Sequence, residues 1–307
     1  MKKKAIIIAV CALALLAAIL IPTLLISRPV AGKIAVIPLT GIITTGGASS
    51  FSDSTITPYL VSNYLTKAES DTAVKAIVFR IESPGGEVVP CQEILWDIER
   101  VKETKTIVVS MGGMATSGGY YISTKADKIV ALPTTMTGSI GVISQVTNIE
   151  GLLDKLGIQI ETFKGGKYKD MYRGFREMTL EEEEIVQRMI DEYYESFIDV
   201  VAEGRGLSRE EVRNLATGQI YTGTEAKELG LVDELGDLNT AIDLAAELAG
   251  IEVPIVDYYQ PPALTLWSLL GFVSAIQARI SGLSAQDIVL LEILNHNYRQ
   301  PLFLYQS

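Results

Sequence analysis

The chain has 307 residues, 48% of them apolar and 21% charged, which is enough apolar side chain to build a large core. A net charge of −11 with a pI of about 4.8, and the lack of any Lys/Arg-rich stripe, argue against a nucleic-acid partner. The single histidine, His296, lies in a polar C-terminal tail, which removes any ordinary histidine-based zinc site and argues against a Ser-His-Asp triad.

The chain begins with Lys2, Lys3 and Lys4, followed by 22 uncharged residues from Ala5 to Ile26. As a helix this run spans about 33 Å, enough to cross a bilayer, and the lysines keep its N-terminus cytoplasmic. Pro22 is tolerated in such a span. The run exceeds a signal-peptide core, and Arg28 and Pro29 stand where a small-residue cleavage site would be, so an uncleaved single-pass anchor is expected over residues 1–28. The rest then lies on the outer face of a cell membrane, where Cys91 has no cysteine in its own ectodomain to pair with.

From Gly32 onward, apolar strand-like runs alternate with helical patterns. "KIAVIPL", "VKAIVFRI", "TIVVSM", "KIVAL" and "GSIGVI" read as strands; helices are expected around "ITPYLVSNYLTKAES", over Val88 to Lys102 and from near Ser117. Such continuous apolar runs suit strands covered on both faces, in a repeated strand and helix α/β unit. A further strand, "IQIETF", leads into the charged loop "KGGKYKDMYR" and a long helix from about Leu180 to Glu203, ended by Gly204 and Gly206. The acidic run Glu181 to Glu184 suggests a metal site, but Thr179 and Glu182 stand at capping-box spacing, which explains it as a helix start. Shorter helices follow in "SREEVRNLA", "TEAKELG" and "LNTAIDLAAELAG". Residues 32–259 read as one domain, and 260–307 as an apolar segment (Pro262 to Ile276) with a tail.

"MATSGGYYIS", Met114 to Ser123, places Ser117 before two glycines. One reading makes Ser117 a helix N-cap; the other makes it a nucleophile. Without a histidine the base would be a lysine, which can serve once desolvation lowers its pKa. Lys164, Lys167 and Lys169 lie in a glycine-rich loop after a strand, although such lysines are ordinarily solvated surface charges. "ESPGGEV", Glu82 to Val88, offers a glycine turn whose backbone N–H groups could hold an oxyanion, and the same residues also describe a plain type II turn with Pro84 at i+1 and Gly85 at i+2.

Taken together and in order, "SPGG" (Ser83 to Gly86), "MATSGGYYIS", "TGSIGV" (Thr137 to Val142), "KYKD" (Lys167 to Asp170) and "REMT" (Arg176 to Thr179) resemble the signal peptide peptidase A family, membrane-bound serine proteases of the Clp/crotonase superfamily. The resemblance covers about Gly32 to Asp243. It implies an α/β fold, a Clp/crotonase-like ββα superhelix with an N-terminal transmembrane helix. It further implies Ser117 as nucleophile, Lys169 as general base, Ser139 as a hydroxyl that orients the lysine, Gly86 and the Ser117 N–H as oxyanion hole, and Gly85 and Gly118 beside the substrate. No cofactor and no metal are implied. Glu82 stands where the family often has asparagine.

The expected activity is that of a membrane-anchored Ser-Lys endopeptidase that hydrolyses remnant signal peptides. It is expected to work as a ring-like homo-oligomer with active sites shared between subunits. A related Ser-Lys protease that cleaves membrane proteins of the stomatin type is the nearest rival. A crotonase-like acyl-CoA enzyme is the other, and a membrane anchor with a serine and lysine pair argues against it.

Overall fold

The computed structural model describes residues 31–46 and 55–259, together with the strand at 302–304. The expected anchor over residues 5–26, the apolar segment 262–276 and His296 lie outside the described residues. No helix among the described residues is long and apolar enough to cross a membrane.

The chain alternates strands and helices as its apolar runs predict. β1 (Ala31–Thr40), β2 (Ile42–Ile43) and β3 (Thr55–Ile56) lead to α1 (Pro58–Ser70), then β4 (Val74–Ser83), β5 (Gly85–Glu87) and α2 (Val88–Lys102). β6 (Thr106–Thr116), α3 (Gly118–Ser123), β7 (Lys128–Ala131) and β8 (Met136–Gly138) follow, and then α4 (Glu150–Leu156) and the long α5 (Leu180–Arg205). The remainder is α6 (Arg209–Leu215), β9 (Ile220–Thr222), α7 (Gly223–Glu228), β10 (Glu234–Leu235), α8 (Leu238–Leu248), β11 (Val253–Tyr258) and β12 (Leu302–Leu304).

The main sheet runs β10-β7-β6-β4-β1-β11 with all neighbours parallel; β8 joins β6 farther along, and β9 pairs antiparallel with β8. Strand residues alternate between its faces. Ile34, Val36, Ala76, Val78, Val108 and Val130 pack with Ala241, Ile242 and Ala245 of α8. Their neighbours Ile37, Ile77, Phe79, Ile107 and Val109 belong to the larger core, which includes residues of α1, α2, α3 and α5. Both faces are therefore dry, which is why the strands read as unbroken apolar runs.

One irregularity in this sheet positions the site. β4 and β6 pair in register to Ile81↔Met111 and resume at Ser83↔Ala115, so β6 carries two extra residues. The Glu82 carboxylate reaches into this bulge and accepts the N–H groups of Gly113 (2.7 Å) and Met114 (2.9 Å). Beyond it, β6 leaves β7 and pairs with β8 through Met114–Thr116. A bulge that redirects a strand in this way also re-aims the residue at the strand's end, here Ser117.

Three sequence expectations change. "IQIETF" forms no strand: no segment among the described residues pairs with it, and its Ile158, Ile160 and Phe163 stay exposed. "GSIGVI" is strand only at its first glycine, because the chain leaves β8 at Ser139. Gly206 is the left-handed cap of α5 at φ 66°, whereas Gly204 lies inside the helix. A Cβ at Gly204 would sit 2.4 Å from the Thr124 carbonyl oxygen at the end of α3, so glycine is required there by a close crossing of two helices. Gly204→Ala should therefore destabilise the fold by about 1–3 kcal/mol, measured by denaturant unfolding, and an unchanged midpoint would show that the crossing can relax.

Candidate active site

Ser117 and Ser139 are the two non-glycine residues among those described that adopt positive φ, 52° and 51°. Such backbone costs about 1–3 kcal/mol per residue and persists only where its surroundings impose it. One hydrogen bond joins the two positions: the Ser117 N–H donates to the Gly138 carbonyl at 2.8 Å, extending the β6–β8 ladder by one residue. At the same point the Ser117 carbonyl accepts the Tyr121 N–H and starts α3. Strand ladder and helix thus meet on one residue.

This geometry decides the reading of Ser117. An N-cap residue has extended backbone, and its side-chain oxygen accepts an N–H of the first turn. Ser117 has φ 52° and ψ −117° and makes no capping bond. Its Oγ is buried and has no hydrogen-bond partner. A buried hydroxyl left unsatisfied on strained backbone is costly, and nothing in the fold uses it.

The glycine turn packs directly against it. Gly85, at φ 105°, takes the positive-φ place of the turn; its N–H donates to Ser83 Oγ at 3.1 Å, and Thr116 Oγ1 donates to the Pro84 carbonyl at 3.2 Å. A Cβ at Gly118 would lie 3.0 Å from the Gly86 nitrogen and 2.6 Å from Cys91 Sγ, so only glycine lets the two segments touch. The Ser117 N–H, expected as an oxyanion donor, is engaged by Gly138. Gly118, at the first position of α3, has no intrahelical acceptor for its N–H. Cys91 offers no rival nucleophile, because complete burial raises its thiol pKa well above the ordinary value, with the charge of Glu87 adding to the shift.

β5 lies in a second, small sheet of order β12-β5-β2-β3. Ile43 of β2 pairs parallel with Gly86, while the opposite edge carries Leu302–Leu304 antiparallel, with Phe303 opposite Gly86. The edge beside the glycine turn therefore accepts an extended apolar segment of chain.

Within one chain Lys169 makes no hydrogen bond to Ser117 Oγ, which has no partner, and Lys169 is exposed. Its loop carries an ion cluster that the sequence pattern did not disclose. Arg176 forks onto Asp170 (3.1 and 2.9 Å) and onto Glu182 (2.8 and 2.6 Å), and Lys164 Nζ reaches Asp170 at 2.5 Å. The Thr179 and Glu182 capping box forms as read, and Lys167 and Tyr168 hold Glu181. Glu181 and Glu182 of the acidic run thus spend their carboxylates on the helix start and on cations.

Sequence comparison places these observations in a family. Residues 99–252 match the profile of Peptidase family S49. A candidate protease of Synechocystis sp. is 37% identical over 89% of this chain and 96% of its own length. A candidate signal peptide peptidase SppA of Enterococcus faecium is 38% identical over 74% of this chain and 67% of its own. Among solved structures, a membrane-bound stomatin-specific protease in complex with a substrate peptide superposes with a TM-score of 0.51 at 18% identity, covering 80% of this chain and 98% of that one, a likeness of fold. With the profile matching half of the chain and a relative aligned along nearly all of it, the chain belongs to Peptidase family S49.

Proposed function

We propose that this serine protease works through a Ser117-Lys169 dyad and hydrolyses remnant signal peptides at a membrane. The observation that carries the reading is the buried, unpartnered Ser117 hydroxyl on backbone forced to positive φ, set against the Gly85-Gly86 turn. Ser117 Oγ attacks the scissile carbonyl carbon while the neutral Lys169 amine takes its proton. The resulting ammonium then protonates the leaving amine, and water hydrolyses the acyl-enzyme by the same route. The amides of Gly86 and Gly118 receive the oxyanion, and Ser139 orients the lysine.

An extended substrate pairs with the β5 edge, the position that Leu302–Leu304 occupies here, so affinity comes from backbone bonds and favours apolar, extended sequences such as signal-peptide cores. The reading includes an anchor over residues 5–26, a catalytic domain on the outer face, and a ring-like homo-oligomer whose dyads are shared between subunits. The arm between β8 and α5 supports the shared site. α4 has no buried residue, Leu152, Leu156, Ile158 and Ile160 are exposed, and Phe163 is 92% exposed beside the loop that bears Lys169. An apolar surface of this kind calls for cover.

Ser117→Gly should abolish turnover and stabilise the fold by about 1 kcal/mol, because glycine relieves the positive φ. Peptide hydrolysis and chemical unfolding check both halves, and retained turnover would remove Ser117 from the chemistry. Lys169→Arg should be as inactive as Lys169→Ala, since a guanidinium does not deprotonate. Mixing inactive Ser117→Ala and Lys169→Ala chains under subunit exchange should restore part of the activity, whereas inactivity despite demonstrated exchange places both groups in one chain.

A further inference from the structure

We propose that Arg176 is a positioning residue for Lys169, fixing the lysine's loop to the start of α5; this rests on Lys169 being the general base. The chain from Ile158 to Met178 contains no helix or strand, and Gly174 is its one buried residue. Apolar packing therefore does not hold Lys169 in place. What the loop has instead is a set of turn bonds, Lys169 N–H to the Gly166 carbonyl at 3.3 Å and Met171 N–H to the Tyr168 carbonyl at 3.2 Å, and the ion cluster next to Lys169 in sequence.

The cluster runs outward from a fixed point. Glu182 is buried in the first turn of α5 and accepts the Thr179 N–H at 2.9 Å, so its carboxylate belongs to the helix. Arg176 holds that carboxylate with one side of its fork and Asp170 with the other, and its Nη1 also donates to the Glu177 carbonyl at 2.8 Å. Asp170 follows Lys169 directly, so one guanidinium links the base's backbone to a helix start.

Every nitrogen of Arg176 is committed, and only a planar fork can hold two carboxylates in this way; a lysine ammonium is a point charge on a flexible stem. The bonds from Arg176 hold both carboxyls ionised, Asp170 well below the usual range and Glu182 at about 2, with the Lys164 ammonium helping at Asp170 and the Thr179 N–H at Glu182. The charges of Arg176 and Lys164 balance those of Asp170 and Glu182. The cluster therefore acts on Lys169 as a neutral brace, and the Thr179–Glu182 capping bonds of α5 do not involve Arg176.

The full chain is assayed as Arg176→Ala and Arg176→Lys, each alone and in the Lys169→Ala background. Both single variants should lose about 100-fold in kcat with KM changed less than about twofold, as expected when a catalytic group is misplaced but substrate contacts are intact. Methylguanidine should restore part of the activity of Arg176→Ala. In the Lys169→Ala background the Arg176 changes should cost nothing further, read on an activated ester. Wild-type kcat in Arg176→Lys, or an equal loss on top of Lys169→Ala, would overturn the proposal. If Arg176→Ala does not fold, Arg176→Lys carries the test. Full activity in Lys169→Ala alone would instead sink the dyad reading, and the two failures are thereby told apart.

Discussion

The hydrogen bond from the Ser117 N–H to the Gly138 carbonyl is the constraint on which the site depends. It carries the β6–β8 ladder one residue beyond the last strand residue, and α3 starts from the same serine. Both demands cannot be met at ordinary φ, so Ser117 takes the strained one and Ser139, next to the acceptor, takes another. Apolar packing supplies what holds them. α3 is wholly buried, Tyr121 meets Phe197 of α5 edge to face at 5.0 Å, and Tyr120 donates to the Leu231 carbonyl at 3.0 Å. The strain at Ser117 is maintained by the core beneath it.

Glycines bring the turn against the strained serine. Gly86 and Gly118 let the turn after β4 touch the start of α3, and a Cβ at Gly86 would lie 1.9 Å from the Ile43 carbonyl oxygen. Glu82 ties the same two strands together one step earlier, through the β6 bulge. In sequence, Glu82 reads as a departure near the substrate. In the fold its carboxylate is taken up by two backbone amides, so it belongs to the scaffold under the turn.

How much could be read beforehand depends on which forces are local. The buried strands were legible because two dry faces force continuous apolar runs, and the capping box at Thr179 because its signal lies within four residues. The motif glycines were legible as turn and close-approach positions. The β6 bulge was not, since it depends on a carboxylate from another strand. Nor was the lack of a strand at "IQIETF", where local alternation promised pairing and no partner among the described residues arrives. The Arg176 cluster was hidden for the same reason: its charges lie up to 18 residues apart, from Lys164 to Glu182, and meet only after the loop closes.

The central claim is that the strained, orphaned Ser117 hydroxyl is the nucleophile. The most direct measurement is covalent. The assembled protein is treated with an organophosphonate serine probe, digested, and the adduct mapped by mass spectrometry. The account predicts modification at Ser117, at a rate that falls when Lys169 is replaced. Modification of a different serine in active protein, with Ser117 untouched, would contradict it.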